Sequence, residues 1–255
     1  MGPNSDVVSG ARALLEAKQR RLQRRFLVEG PLAVAGALKN GSLRFVLSND
    51  PQVLVTYVEQ GISTYLVTDP AFSALCETVS PQGVVGVASM PEMDFEQELA
   101  ANKKVVVCCG ISDPGNLGTI IRTAAAAGFD AVVTTTSSAD FYNGKTLRAS
   151  VGTFAEIALC GPISEDELAE RLSNRAIISL ALTARGDLAL FDAEIAVLSK
   201  SAHWWIVGSE SHGIPARIES LATHTVSIPM VEGVESLNAA VAVSVCLYNS
   251  VRVGS

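Results

Sequence analysis

Near the end of this sequence, three residues with chemically useful side chains lie in two short polar segments. Glu210 belongs to Gly208-Ser209-Glu210-Ser211-His212-Gly213, whereas Ser236 and Asn238 belong to Glu235-Ser236-Leu237-Asn238. The small neighbours of Glu210 leave its carboxylate open to a ligand. A carboxylate, a hydroxyl, an amide and free backbone groups from two loops could together hold a small polar, partly aromatic ligand.

Regular elements on either side must position these groups. The apolar run Trp204-Trp205-Ile206-Val207 predicts a buried strand that ends in the Glu210 loop. Ser236 is predicted to cap a helix whose residues, from Asn238 to Tyr248, are apolar nearly all round. Such a helix is buried on more than one side, either in a core or against another subunit.

A second strand and loop carry an amide and a cation. The run from Lys103 to Cys109 predicts a buried strand, and a helix is predicted from Thr119 to about Ala127. This prediction puts Arg122 in the first turn, where the helix dipole disfavours a cation, so we expect a functional role such as phosphate binding. The glycine spacing after the strand is not GxGxxG, which argues against a dinucleotide site.

Composition indicates an intracellular globular protein. The chain has 255 residues, is 48% hydrophobic and 18% charged, and shows neither a membrane-spanning run nor a secretory signal. Its five cysteines lack CxxC spacing, which predicts reduced, buried thiols in the cytoplasm and no metal site. The net charge is −7, yet the segment 12–25 is strongly basic. That segment is either a phosphate contact or a solvated helix face.

Residues from about Ala11 to Arg25 predict one helix, and Pro31 to Lys39 predicts a second, with proline in its first turn and Asn40-Gly41 after its end. Alternating strands and helices up to Ala88 predict a small α/β unit. Residues 90–104 contain a proline and several acids, and we interpret them as a junction. The sequence therefore predicts two domains, at residues 1–92 and 103–255.

Several motifs resemble those of one enzyme family, the SpoU (TrmH-like) RNA ribose 2′-O-methyltransferases of the SPOUT superfamily. The first runs from Asp113 through Asn116 and Arg122 to Ala124, and the others are the Glu210 segment, Ser227-Ile228-Pro229-Met230 and the Ser236 segment. Residues 145–152 resemble a further family segment. The N-terminal part, through Lys18-x-x-Arg21, 26–30 and 80–83, resembles the ribosomal-protein-like RNA-binding domain found in many members.

The resemblance implies an α/β fold with a C-terminal trefoil-knotted SPOUT methyltransferase domain and a small N-terminal α/β RNA-binding domain. It also implies S-adenosyl-L-methionine as cofactor and a homodimer formed through the knotted region. The implied catalytic residues are Arg122, Asn116, Glu210, Ser236 and Asn238. Among them, we expect Asn116 to contact Arg122 or Glu210, and Glu210 to pair with the Arg122 guanidinium. The implied cofactor-binding residues are Thr183, Gly208, Ile228, Met230 and Leu237. The basic residues assigned to RNA are Arg20, Arg21, Arg24, Arg25 and Arg148.

Some questions stay open at this point. In the family the arginine matching Arg122 acts on the 2′-hydroxyl as a base or fixes the neighbouring phosphate; we favour the second, because arginine stays protonated in proteins. Ribosomal RNA is the first expected substrate and transfer RNA the second. Housekeeping and antibiotic-resistance roles both exist among relatives. A non-catalytic RNA-binding or ribosome-assembly protein of the same fold is the alternative, and Ala239-Ala240, where many members have Val-Ser, is a departure from the family pattern.

Overall fold

The computed structural model describes residues 1–173, 176–234 and 236–254, so Glu235 of the last motif lies outside the described residues. The chain forms two compact units. Unit 1 comprises Met1–Glu92 and Asp140–Glu156, and unit 2 comprises Met93–Ala139 and Ile157–Ser255. Both are α/β, which confirms the predicted fold class. Residues 140–156 group with unit 1, although the sequence prediction assigned them to the second domain.

The helices and strands alternate along almost the whole chain. The helices are α1 (Asp6–Ala13), α2 (Ala17–Gln23), α3 (Pro31–Lys39), α4 (Pro51–Glu59), α5 (Asp69–Ser73), α6 (Phe95–Glu98), α7 (Pro114–Ala126), α8 (Gly144–Ser150), α9 (Glu165–Leu172), α10 (Ala193–Leu198), α11 (Ala216–Leu221) and α12 (Ala239–Gly254). The strands are β1 (Arg25–Glu29), β2 (Leu43–Ser48), β3 (Ser63–Leu66), β4 (Val85–Ser89), β5 (Val105–Cys109), β6 (Ala131–Thr135), β7 (Ala158–Ile163), β8 (Ser179–Leu182), β9 (Leu188–Ala189), β10 (Trp204–Gly208) and β11 (His224–Ser227).

Unit 1 is built on a mixed sheet with the strand order β1-β4-β2-β3. β4 pairs antiparallel with β1 and β2, and β2 pairs parallel with β3. The predicted helix Pro31–Lys39 is confirmed at both ends, with proline in its first turn and Asn40 as its C-cap. One face of the sheet buries a core that includes Val8, Leu47 and Phe72.

Within unit 1, residues 140–156 pack against the N-terminal part of the unit through two glycines and a cluster of aromatic rings. A Cβ on Gly36 would lie 2.6 Å from the Gly152 carbonyl oxygen, so only glycine permits this approach of α3 to the segment. The ring of Phe26 lies 4.5 Å from that of Tyr142 and 6.0 Å from that of Phe154, between centroids. Aromatic contacts therefore join this segment to β1, and a close backbone approach joins it to α3.

A buried ion pair also ties the segment to unit 1. The Arg20 guanidinium is 4% exposed and lies 2.6 Å from the Asp140 carboxylate. It also donates to the carbonyl oxygens of Leu14 and Leu15 at 3.0 and 2.8 Å. These two carbonyls lie between α1 and α2, where the sequence predicted one continuous helix. Arg20 therefore satisfies backbone groups that the interruption leaves without helical partners.

Unit 2 is built on a seven-stranded sheet with the order β7-β6-β5-β10-β8-β11-β9 and parallel pairing throughout. All five residues of β5 are buried, as are Trp204 and Trp205 of β10. A parallel sheet is covered on both faces, which explains these unbroken apolar runs. α12 packs on α7 and on β10.

The cysteines are free, and four of the five are buried. Burial raises the pKa of Cys76, Cys109 and Cys160 to about 12, so these thiols stay protonated and unreactive near neutral pH. Within the described residues, no helix has the length and apolarity needed to cross a bilayer. The same residues contain no group of three His, Cys, Asp or Glu side chains that could hold a metal.

We expect Asp140→Asn to lower the free energy of unfolding of unit 1 by about 3 kcal/mol, because it leaves the buried Arg20 cation without its counter-charge. Urea unfolding followed by circular dichroism measures this loss. Both tryptophans of the chain, Trp204 and Trp205, lie in unit 2, so their fluorescence reports unit 2 separately.

Glu156→Gln is the matched control. It removes an ion pair with Lys39 whose side chains are 44% and 71% exposed, and it should change stability by less than about 1 kcal/mol. Equal changes in the free energy of unfolding would show that the buried pair contributes no more to stability than the exposed pair.

Candidate functional site

A cavity of about 320 Å³ opens in unit 2 at the carboxyl ends of three neighbouring parallel strands, β10, β8 and β11. In open α/β sheets this edge is where ligands bind. The structure brings all five residues predicted to hold a cofactor to this cavity. Its lining includes Thr183, Gly208, Ile228, Met230 and Leu237, together with Glu210 and Ser236.

The Glu210 carboxylate accepts hydrogen bonds from three N–H donors beside the cavity. Its Oε1 atom accepts hydrogen bonds from Asn116 Nδ2 at 3.2 Å, from Asn238 Nδ2 at 3.0 Å and from the backbone N–H of Ala239 at 3.0 Å. Asn238 Nδ2 also donates to Asn116 Oδ1 at 3.1 Å. Three side chains that are distant in sequence therefore form one hydrogen-bonded cluster, and the predicted proximity of Asn116 to Glu210 is observed.

A tight loop presents Glu210. A Cβ on Gly208 would lie 2.0 Å from the Gly213 carbonyl carbon, so only glycine allows the loop to fold back at this point. The Gly213 N–H donates to the Ser209 carbonyl oxygen at 2.9 Å, and Gly213 has a φ of +67°. The loop closed by these glycines projects Glu210 outward from the end of β10.

The start of α12 differs from the sequence prediction. Asn238, not Ser236, caps the helix: its Oδ1 accepts from the backbone N–H groups of Ala240 and Val241 at 3.0 and 3.3 Å. With the Ala239 N–H bonded to Glu210, the first three donors of α12 are all satisfied. Ser236 lies two residues before the cap, in the cavity wall, with its side chain exposed.

The helix that carries Arg122 is also longer than predicted. α7 begins at Pro114, with Asp113 as N-cap accepting from the Asn116 N–H at 2.9 Å, so Arg122 lies well beyond the first turn. The argument from an unfavourable helix dipole at Arg122 is therefore wrong, because the aspartate-proline pair starts the helix five residues earlier than the predicted start at Thr119. Arg122 is exposed and makes no hydrogen bond or ion pair within the described chain.

Arg122 is thus on the same helix as Asn116 but is not bonded to the Glu210 cluster. The predicted pairing of Arg122 with Glu210 is not seen. Its free guanidinium remains available to a ligand. Among the other residues that line the cavity, His212 and Glu219 have ionisable side chains. Glu219 was missed because nothing in the sequence shows that α11 reaches the cavity wall.

Three of the five arginines predicted to contact RNA have protein partners in unit 1: Arg20, Arg148 and Arg24, whose guanidinium donates to the Pro91 carbonyl oxygen at 2.9 Å. Arg20 is buried against Asp140, so its prediction is corrected to a structural role. Arg148 donates to the carboxylates of Glu29 and Glu77 at 3.2 and 2.9 Å. Arg21, Arg24 and Arg25 are exposed.

Comparison of the sequence with known protein families gives two matches. Residues 103–248 match the profile of the SpoU rRNA Methylase family, and residues 6–86 match that of the MRM3-like substrate binding domain.

Full-length relatives agree with these matches. The chain is 35% identical to the Bacillus subtilis 23S rRNA (guanosine(2553)-2′-O)-methyltransferase RlmP, over 91% of this chain and 90% of RlmP. It is 28% identical to the Streptomyces viridochromogenes 23S rRNA (uridine(2479)-2′-O)-methyltransferase, over 94% of this chain and 87% of that protein.

Solved structures give the same result. The SpoU methyltransferase AviRb from Streptomyces viridochromogenes, in complex with AdoMet, superimposes with a TM-score of 0.85 at 26% identity and covers 98% of both chains. These matches show that this chain belongs to the SpoU rRNA methylase family.

Proposed function

We propose that this protein methylates a ribose 2′-hydroxyl of ribosomal RNA, with S-adenosyl-L-methionine as methyl donor. The observation that carries the proposal is the cavity at the ends of β8, β10 and β11 with the Glu210 cluster at its edge. Relatives named as 23S rRNA 2′-O-methyltransferases along nearly the whole chain support the substrate class.

The cavity suits an adenosyl group. Its wall combines apolar side chains, including Leu182, Ile228 and Leu237, with backbone groups of the loops that follow each strand. Such a wall suits the faces and the polar edge of an adenine ring. The hydroxyl oxygen of Thr183 is buried and has no hydrogen-bond partner within the described residues, so a polar ligand atom would satisfy it. S-adenosyl-L-methionine, when bound, supplies a methyl group on a sulfonium that is already a good leaving group.

The protein then has to hold the ribose 2′-hydroxyl in line with the methyl group, which is catalysis by proximity and orientation. We assign Glu210, Asn116 and Asn238 to this task. The Glu210 carboxylate fixes the beginning of α12 and the first turn of α7 at the cavity edge, so both loops keep their shape when RNA binds. Ser236 contributes a free hydroxyl in the same wall.

We assign phosphate binding next to the reacting ribose to Arg122. Its guanidinium is exposed and unpaired within the described chain, whereas a base would need to lose a proton that arginine retains in proteins. A fixed cation beside the reacting nucleotide holds the sugar in place through its phosphate.

RNA binding outside the cavity is assigned to unit 1. Lys18, Arg21, Arg24 and Arg25 are exposed on α2 and the start of β1, and form a local basic surface on an acidic protein. Phosphate contacts by such a surface raise affinity without selecting a sequence.

Three further properties belong to the same proposal. Unit 2 is proposed to contain the trefoil knot of the family and to form a homodimer. The exposed apolar side chains of Val241, Tyr248 and Val251 on α12, which are 50%, 53% and 37% exposed, support a partner surface on that helix. The cytoplasm is the proposed location, since ribosomal RNA is the substrate.

The experiment that tests the function is transfer of labelled methyl groups from S-adenosyl-L-methionine to bulk ribosomal RNA and bulk transfer RNA, measured in parallel. We expect label at one ribosomal nucleotide, resistant to alkaline cleavage at that position. Label on transfer RNA alone would move the protein to the alternative substrate. Absence of both label and cofactor binding would favour a non-catalytic RNA-binding role.

Replacing Arg122 with alanine should lower kcat/KM for RNA methylation by at least about 100-fold, while the Kd for S-adenosyl-L-methionine stays within about twofold. Arg122→Lys keeps the charge without the planar fork and should recover part of the activity. Calorimetry and methyl transfer measure the two effects, and unchanged turnover of the alanine variant would exclude the assigned role.

Replacing Glu210 with alanine should raise the Kd for S-adenosyl-L-methionine by about tenfold, because three N–H donors at the cavity edge lose one acceptor. Glu210→Gln keeps an oxygen there and should raise the Kd only about threefold. Glu194→Ala, which removes an exposed carboxylate on α10, is the control and should leave the Kd unchanged. Identical behaviour of the three variants would contradict the positioning role.

Replacing Arg21 and Arg25 together with alanine should reduce the salt dependence of RNA binding, lowering the slope of log K against log salt by about 1 to 2. Arg24 is kept because its guanidinium donates to the Pro91 carbonyl oxygen and its backbone is left-handed, with a φ of +53°. The control pair Lys200→Ala and Arg217→Ala removes two exposed cations of unit 2. An equal change of slope in both pairs would show that the basic surface is not a specific contact.

A further inference from the structure

Unit 1 contains a second cavity, of about 290 Å³, that the methyl-transfer reaction does not use. Leu32 and Val151 lie at its rim, and Glu29, Thr78, Gln82 and Arg148 supply its polar lining. Its volume is close to the lower end of the range for small-molecule sites, which suits a single planar group. Because its walls are partly polar, this cavity differs from the purely apolar gaps that imperfect packing leaves in a protein core.

The polar floor excludes a phosphate. Arg148 is held between the carboxylates of Glu29 and Glu77, at 3.2 and 2.9 Å, so the cluster carries one positive and two negative charges. Glu29 also accepts hydrogen bonds from the Glu77 N–H at 3.1 Å and from the Thr78 hydroxyl. An anion would meet net negative charge here, whereas a neutral ligand with N–H groups would meet acceptors.

The apolar rim is built at a cost in backbone strain. Val151 adopts a left-handed conformation with a φ of +53°, which is rare for a β-branched residue, and its side chain is 38% exposed. Gly152 follows with a φ of +83°, and a Cβ on it would lie 2.6 Å from the Leu32 carbonyl oxygen. This close approach brings Val151 next to Leu32, which is 61% exposed. Val151 holds this conformation as the C-cap of α8, where its N–H donates to the Arg148 carbonyl oxygen at 3.1 Å.

Gln82 supplies a free hydrogen-bonding edge. Its Oε1 atom lies 3.0 Å from the position that a Cβ on Gly30 would take, and Gly30 has a φ of +91°, so glycine leaves space for this amide. The amide makes no hydrogen bond within the described residues and is exposed. A glutamine amide presents a donor and an acceptor side by side, which is the pattern that pairs with the edge of a nucleobase.

We propose that this cavity binds one unpaired nucleobase of the RNA substrate, with the base face on Leu32 and Val151 and its edge on Gln82. Sequence-specific RNA recognition uses bases of this kind, turned out of loops and bulges. The proposal rests on the proposed function for the RNA that carries the base. It adds a site in unit 1 at which the identity of a nucleobase contributes to substrate choice, in addition to contacts with RNA phosphates.

The test is methyl NMR of the full-length protein, with Leu32 and Val151 as probes and S-adenosylhomocysteine present to fill the cavity of unit 2. Adenosine, cytidine and uridine are titrated separately, and inorganic phosphate is the reference anion. We expect at least one nucleoside to shift both methyl signals saturably in the millimolar range, with no shift from phosphate. Gln82→Ala should weaken that binding by at least about threefold.

Gln52→Ala is the matched control, since it removes another exposed glutamine side chain of unit 1 and should leave the nucleoside affinity unchanged. No shift with any nucleoside, equal shifts with phosphate, or equal affinities of the Gln82 and Gln52 variants would each overturn the proposal. Because these readouts do not depend on methyl transfer, an inactive protein whose Leu32 and Val151 signals still shift would refute the proposed function and leave the base site standing.

Discussion

The candidate active site depends on one carboxylate oxygen. Glu210 Oε1 receives hydrogen bonds from two asparagine side chains and from the first N–H of α12, and so joins the loop after β10 to the starts of two helices. Without such an acceptor, the Ala239 N–H at the start of α12 and the side-chain amide of Asn116 would need water or ligand as partners. The carboxylate gives three separate chain segments one common geometry, which is what a reaction governed by positioning requires.

In unit 1, a buried ion pair and close backbone packing hold residues 140–156 in place. Arg20 bridges the break between α1 and α2 and also neutralises Asp140, while Gly36 and Gly152 bring backbones into contact. Desolvation offsets much of the attraction in such a pair, but removing one partner leaves an unpaired buried charge, so the two side chains depend on each other. The importance of the pair here is that it fixes residues 140–156 to a sheet that they do not join by strand pairing.

Much of the fold was predictable because the local signals agree with the tertiary structure. The helix Pro31–Lys39 has proline at its start and Asn40-Gly41 after its end, and the apolar runs of β5 and β10 are those of fully buried parallel strands. The site residues around the main cavity were predictable from motif resemblance. The role of Arg20 was not, since an arginine in a basic helix gives no sign that a carboxylate 120 residues later will bury it.

The two errors at helix starts have different origins. Both Ser236 and Asn238 can cap a helix, and only the position of Glu210, which bonds the next N–H, selects Asn238. Arg122 was placed in a first turn because Gly115 and Gly118 indicate a loop, yet Asp113-Pro114 starts the helix and α7 tolerates both glycines. The start of α12 is therefore decided by a contact from another part of the chain, whereas the start of α7 is decided by its own Asp113 cap.

The path of the chain between the units has a consequence for protein engineering. The backbone passes from unit 1 to unit 2 near residue 92, returns at Asp140, and leaves again after Glu156, so three covalent connections join them. A chimera made by exchanging residues 1–92 between relatives would therefore pair a foreign sheet with the native Asp140, Arg148 and Phe154. Transplanting substrate preference within this family calls for moving the 140–156 insert together with the N-terminal region, as one discontinuous module.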